Sequence, residues 1–127
     1  MLTNAMLVFL GGGLGAVSRY MVTTFMGNHI PGDFPFGTFT ANILGSFLMG
    51  FIMFYFTNKS LPVPEHFRLL LLVGFMGGFT TFSSFSMETF AMFQAQQILS
   101  PLLNVVGNVC LGLAAVLMGM YMANTIA

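Results

Sequence analysis

Four stretches of this chain are each long and apolar enough to cross a lipid bilayer, and three short polar breaks separate them. They run from about Thr3 to Met26, Phe36 to Phe56, Phe67 to Phe93 and Leu99 to Met122. A spanning helix needs about 20 mostly apolar residues. Inside hydrocarbon, backbone groups must find partners within their own segment, which leaves the helix as the open solution. The breaks have turn chemistry. HIPGDFP (His29 to Pro35) and TNKSLPVPEH (Thr57 to His66) gather proline and charge. QAQQILSP (Gln94 to Pro101) puts a proline near the start of the last helix, where it is tolerated. The pattern predicts an all-α membrane protein of four transmembrane helices, with residues 1–127 as a single domain.

Composition agrees. Hydrophobic residues make up 57% and charged residues 5%, against about 25% charged in a typical soluble domain. So few charges could not cover a water-facing surface. Arg19, Lys59 and Arg68 cannot build the basic patch that nucleic acid requires. The lone Cys110 lies in an apolar run and is expected to act as a small buried hydrophobe. MLTNAMLVFLGGG has no basic n-region and no clean cleavage site, so it reads as a membrane helix rather than a signal peptide.

Within the third span, GFMGGFTTFSSFSME (Gly74 to Glu88) conflicts with a plain helix. Paired glycines weaken a helix, and the hydroxyls of Thr80, Thr81, Ser83, Ser84 and Ser86 can satisfy backbone groups that a break frees. Irregular backbone at membrane depth survives only beside protein or a watery cavity. A break near Gly77 to Thr81 is therefore predicted, with a small-solute or ion site beside it.

Other groups could line such a site. Thr38 and Asn42 share a helix face that Gly45 and Met49 continue, and Asn104 and Asn108 pair likewise on the fourth helix. Amides of this kind either hold helices together or face a pathway; two polar faces beside a broken helix favour the pathway. Phe79, Phe82 and Phe85 recur every third residue. An aromatic stripe commonly packs, but ring edges are positive and can meet an anion. Arg19 and Glu88 are the charges within spans, each either a vestibule group or a structural one. Lys59 and Arg68 lie toward one membrane side and Arg19 toward the other. So small a bias leaves a single orientation and insertion both ways open. Small-xxx-small pairs such as Gly11/Gly15 and Gly74/Gly78 favour close helix contact, and oligomerisation is expected. GGGLG lacks the strand and acidic residue of a dinucleotide site, and no metal cluster or Ser–His–Asp set can be assembled, so no enzyme is expected.

GGGLGAVSRY (Gly11 to Tyr20), GTFTANILGSF (Gly37 to Phe47) and GFMGGFTTFSSFS (Gly74 to Ser86), in this order on four spans, resemble the Fluc (CrcB) fluoride channels. The resemblance implies an antiparallel, dual-topology homodimer in the bacterial inner membrane, with two fluoride pores. It implies that Phe82, Phe85 and Asn42 line the pore, joined by Thr38, Thr81, Ser84, Asn104 and Asn108, and that Arg19 is the family's first-helix arginine. It further implies a structural sodium ion held by backbone carbonyls at Gly77 and Thr80. Phe79, Ser84 and Asn108 depart from the family's common leucine, threonine and serine, which bears on conduction and fine selectivity. The implied function is passive export of cytoplasmic fluoride, the ion trapped when neutral hydrogen fluoride enters and ionises. Rival readings are a proton-coupled transporter, of fluoride through Glu88 or of small multidrug type, and a noncatalytic membrane subunit. A multidrug transporter needs a first-helix carboxylate, and this chain has none there.

Overall fold

Segments this apolar satisfy their backbone in lipid by forming helices, and the computed structural model, which describes residues 1–126, is helical through its spans except for one break in the third. α1 is Leu2–His29, α2 is Phe36–Asn58, α3 covers residues 65–79, α4 is Phe82–Gln94 and α5 is Leu99–Ile126. With α3 and α4 counted as one interrupted span, four segments are long and apolar enough to cross a membrane. The helices outrun the predicted spans at their ends. A helix of 28 residues such as α1 is roughly 42 Å long, enough to cross the headgroup layers as well as the hydrocarbon. Polar ends such as Asn28, His29 and Asn58 then meet water or headgroups.

The connections are short. Between α1 and α2 the chain turns at Gly32, whose φ of +121° only glycine adopts without strain. Phe34 then folds back, its ring 4.7 Å from Phe36 and 5.4 Å from Phe39. Between α4 and α5, Gln96 takes a left-handed φ of 61°, which makes that turn tight.

Close packing falls into two pairs. α1 lies against α3, where glycines allow backbone to meet backbone. A Cβ on Gly11 would overlap the Leu70 carbonyl, one on Gly15 the Phe75 carbonyl, and one on Gly78 the Gly12 carbonyl. α2 lies against α5 in the same way: a Cβ on Gly50 would overlap the Val116 carbonyl and one on Gly119 the Phe47 carbonyl. Without a hydrophobic force between helices in lipid, such close approach supplies the dispersion contacts that hold them. α4 then docks on α5 through Thr89 and Asn104, both buried.

The third span departs from the prediction in two respects. Arg68–Met76 winds as a π-helix, which the sequence does not foretell. The break does fall in the predicted window, but on the threonines. Gly77–Phe79 remain helical, while Thr80 (φ −88°, ψ 155°) and Thr81 (φ −152°, ψ 121°) are extended. Gly74 and Gly78 serve close contact with α1 instead of breaking the helix. Cys110 is exposed on α5 and not buried as expected. In a membrane helix an apolar outward face carries no penalty, so hydrophobicity does not select the inside.

Candidate functional site

Extending two residues costs the third span its local hydrogen bonds. The Thr81 N–H, which would return to Gly77 in a helix, donates instead to Asn42 Oδ1 at 2.8 Å. The Ser84 N–H donates to Thr81 Oγ1 at 3.1 Å, so Thr81 caps α4 from its first position outside the helix. The carbonyls of residues 77–80 therefore lack helical donors. Arg19 takes one of them: its Nε donates to the Gly78 carbonyl at 3.0 Å, and its Nη1 lies 3.5 Å from Ser84 Oγ. Gly77 is exposed, with nothing within 4 Å of a Cβ placed on it. Thr80 Oγ1 donates back to Met76 O at 2.9 Å.

Asn42 holds the break from the other side. Beyond accepting from Thr81 N–H, its Nδ2 donates to the Thr81 carbonyl at 3.1 Å and to Asn108 Oδ1 at 3.0 Å. Asn108 Nδ2 donates to Asn104 Oδ1 at 2.9 Å and to Asn104 O at 2.8 Å. Asn104 Nδ2 donates to Thr89 Oγ1 at 2.9 Å, which donates to the Phe85 carbonyl at 2.7 Å. The chain has one direction because each end fixes it: a backbone N–H can only donate and a carbonyl can only accept. Such linked bonds polarise one another in a low-dielectric interior.

Beside this network lies a cavity of about 370 Å³ lined by Asn42, Ser46, Thr81, Phe82, Phe85 and Asn108 among others, with no cationic side chain among the described residues in its wall. The Phe82 and Phe85 rings sit 5.4 Å apart, tilted by 49°. Phe85 is buried, whereas Phe82 is 79% exposed. Phe79, the third member of the aromatic stripe, is instead buried and stacked on Phe75 at 5.8 Å.

The predicted residues thus separate into groups. Asn42, Thr81, Phe82, Phe85 and Asn108 meet at the cavity, with Thr80 in its wall. Ser84 stands behind Thr81, next to Arg19. Asn104, only 1% exposed, supports Asn108 from within the bundle and is absent from the cavity wall. Thr38 and Glu88 belong to a second, smaller cavity of about 130 Å³ under the α1–α2 turn. There Thr38 Oγ1 donates to Glu88 Oε1 at 2.8 Å, while Glu88 Oε2 is buried without a protein partner. Ser46 and Thr89 are site residues that the sequence reading misses. Ser46 continues the four-residue spacing of Thr38 and Asn42, a signal the sequence does carry; nothing in it singles out Thr89.

Residues 6–120 match the protein family described as CrcB-like protein, Camphor Resistance (CrcB). A protein of Solibacter usitatus named fluoride-specific ion channel FluC is 42% identical over 118 residues, covering 93% of this chain and 96% of that protein. The protein of that name from Hahella chejuensis is 43% identical over 119 residues, 94% of this chain and 93% of its own length. The one from Shewanella oneidensis is 44% identical over 118 residues, 93% of this chain and 94% of its own length.

Proposed function

This chain belongs to the CrcB-like family and is a fluoride channel of the multi-pass membrane type; we propose that it is a passive pore that exports cytoplasmic fluoride across the bacterial inner membrane, working as an antiparallel homodimer with two pathways. One observation carries the passive mechanism. The cavity is walled by phenylalanine rings, hydroxyls and amides, and among the described residues no lysine or arginine lines it. Partial charges replace part of a hydration shell without holding the ion fast, which conduction requires. The membrane potential, negative inside, drives an anion outward, so no coupling ion is needed.

The dimer reading rests on the open cavity. Phe82 projects from the chain, 79% exposed, at a cavity whose wall includes the polar side chains of Asn42, Ser46, Thr80, Thr81 and Asn108. Such a cavity facing acyl chains would strand polar groups in hydrocarbon. A second copy would cover it, and the near-even distribution of Lys59, Arg68 and Arg19 permits the copy to insert in the opposite sense.

The residues present fit a structural sodium ion. A hard cation takes oxygen ligands, and the break removes the helical donors from the carbonyls of Gly77 and Thr80. Those two carbonyls would hold the ion, which supplies positive charge to oxygens that otherwise repel one another. Arg19 already occupies Gly78, so that carbonyl is not available. Replacing sodium by N-methylglucamine throughout purification should weaken the dimer on a sizing column; an unchanged dimer would count against the ion.

Efflux from liposomes tests the function. Fluoride outside is followed with an electrode, a potassium ionophore sets the voltage, and chloride is followed in parallel. Fast, voltage-driven fluoride loss with little chloride loss is expected. Folded, dimeric protein that releases no fluoride would sink the channel reading.

A further inference from the structure

Five polar side chains line the main cavity: Asn42, Ser46, Thr80, Thr81 and Asn108. An anion there needs donor hydrogens, and four of these side chains have already committed theirs. Asn42 directs its two to the Thr81 carbonyl and Asn108 Oδ1. Asn108 gives its two to the carbonyl and the side-chain oxygen of Asn104. Thr80 donates to the Met76 carbonyl and Thr81 to Ser84 Oγ.

Ser46 is the exception. Serines and threonines on membrane helices commonly donate to the carbonyl four residues back, as Thr57 does to Met53 and Thr89 to Phe85 in this chain. Ser46 makes no such bond, and its hydroxyl proton has no acceptor among the described residues although the side chain is half-buried. It stands one helical turn beyond Asn42 on the same face of α2. Opposite it on α5 is Gly112, and a Cβ there would come 3.7 Å from Ser46 Oγ.

We propose that Ser46 is the side chain that donates a hydrogen bond to fluoride in the main cavity. The proposal rests on the channel reading. A hydroxyl carries one proton and rotates freely about its C–O bond. It can follow a passing ion while the amide network around Asn42 stays intact. The carriers of the break and the donor to the ion are then different residues on one helix face.

The test compares wild type, Ser46→Ala and Ser46→Cys in fluoride efflux, with sizing-column elution and thermal unfolding of each. The alanine deletes the donor, and the cysteine keeps the shape with a much weaker one. Both variants should slow fluoride efflux, the alanine on the order of tenfold, as a charge-assisted bond is lost. Elution and unfolding temperature should match wild type. Efflux at the wild-type rate in either variant would overturn the proposal. So would slowing accompanied by a lowered unfolding temperature, which would make Ser46 a packing residue. Wild-type protein that passes no fluoride would fail the channel reading itself, and this assignment with it.

Discussion

Asn42 and Thr81 are joined twice, Thr81 N–H to Asn42 Oδ1 at 2.8 Å and Asn42 Nδ2 to the Thr81 carbonyl at 3.1 Å. One side-chain amide thereby replaces the backbone bond that the Thr81 N–H gives up by leaving the helix, and adds a second donor to a carbonyl that, at the N-cap of α4, accepts the first bond of that helix. In lipid, that N–H left bare would cost several kcal/mol. The same residue borders the cavity, so the element that makes the break tolerable also shapes the cavity wall.

Asn42→Asp separates acceptance from donation. The carboxylate can still accept from Thr81 N–H, but it cannot donate to Thr81 O or Asn108 Oδ1 and would face both oxygens. Fluoride efflux should be lost, with stability lowered by about 1–3 kcal/mol. Thermal unfolding in detergent beside liposome efflux checks this, and an Asn42→Asp protein with wild-type values for both would remove the clamp.

Arg19 acts through shape as much as charge. Its Nε reaches the Gly78 carbonyl while the guanidinium extends toward Ser84. Lysine keeps the charge without the planar fork. Arg19→Lys should therefore recover only part of the stability that Arg19→Ala loses, which should be about 1–3 kcal/mol for an uncapped carbonyl. Equal unfolding temperatures for the Arg19→Lys protein and wild type would mean that charge alone matters.

Gly11 and Gly13 are two residues apart on α1 and should respond in opposite ways. A Cβ on Gly11 would overlap the Leu70 carbonyl, whereas nothing lies within 4 Å of one on Gly13. Gly11→Ala should separate α1 from α3 at a cost of about 1–3 kcal/mol or more. Gly13→Ala should stay within about 1 kcal/mol of wild type, as it removes only glycine's backbone freedom. The yield of folded protein and its unfolding temperature decide the matter.

Glu88 distinguishes a pore from a coupled transporter. Glutamine retains an oxygen to accept from Thr38 but carries no exchangeable charge. Glu88→Gln should still pass fluoride, and neither protein should need a pH gradient. Fluoride driven uphill by a pH gradient in wild type, and not in the Glu88→Gln protein, would establish proton coupling.

Particular residues show what the sequence makes legible. Phe82, Phe85 and Asn42 stand out by spacing, polarity and resemblance, and the fold brings them to one cavity. Phe79 belongs to the same three-residue stripe, yet it is buried on Phe75, because the helix persists to residue 79 and the stripe turns with the chain only after Thr81. Asn104 and Asn108 look equivalent four residues apart, but one supports the other from inside the bundle.

By itself the sequence determined the medium, the number of spans and the place of the irregular segment to within a few residues. Those follow from local quantities: the length of apolar runs, the density of charge, and the cost of bare backbone in hydrocarbon. Only the tertiary structure decided that the threonines and not the glycines interrupt the helix. Gly74 and Gly78 are taken up by contact with α1, and Asn42 on another helix supplies the bond that the Thr81 N–H abandons. A helix breaks where its lost hydrogen bonds can be replaced, and the replacement comes from residues far away in the chain.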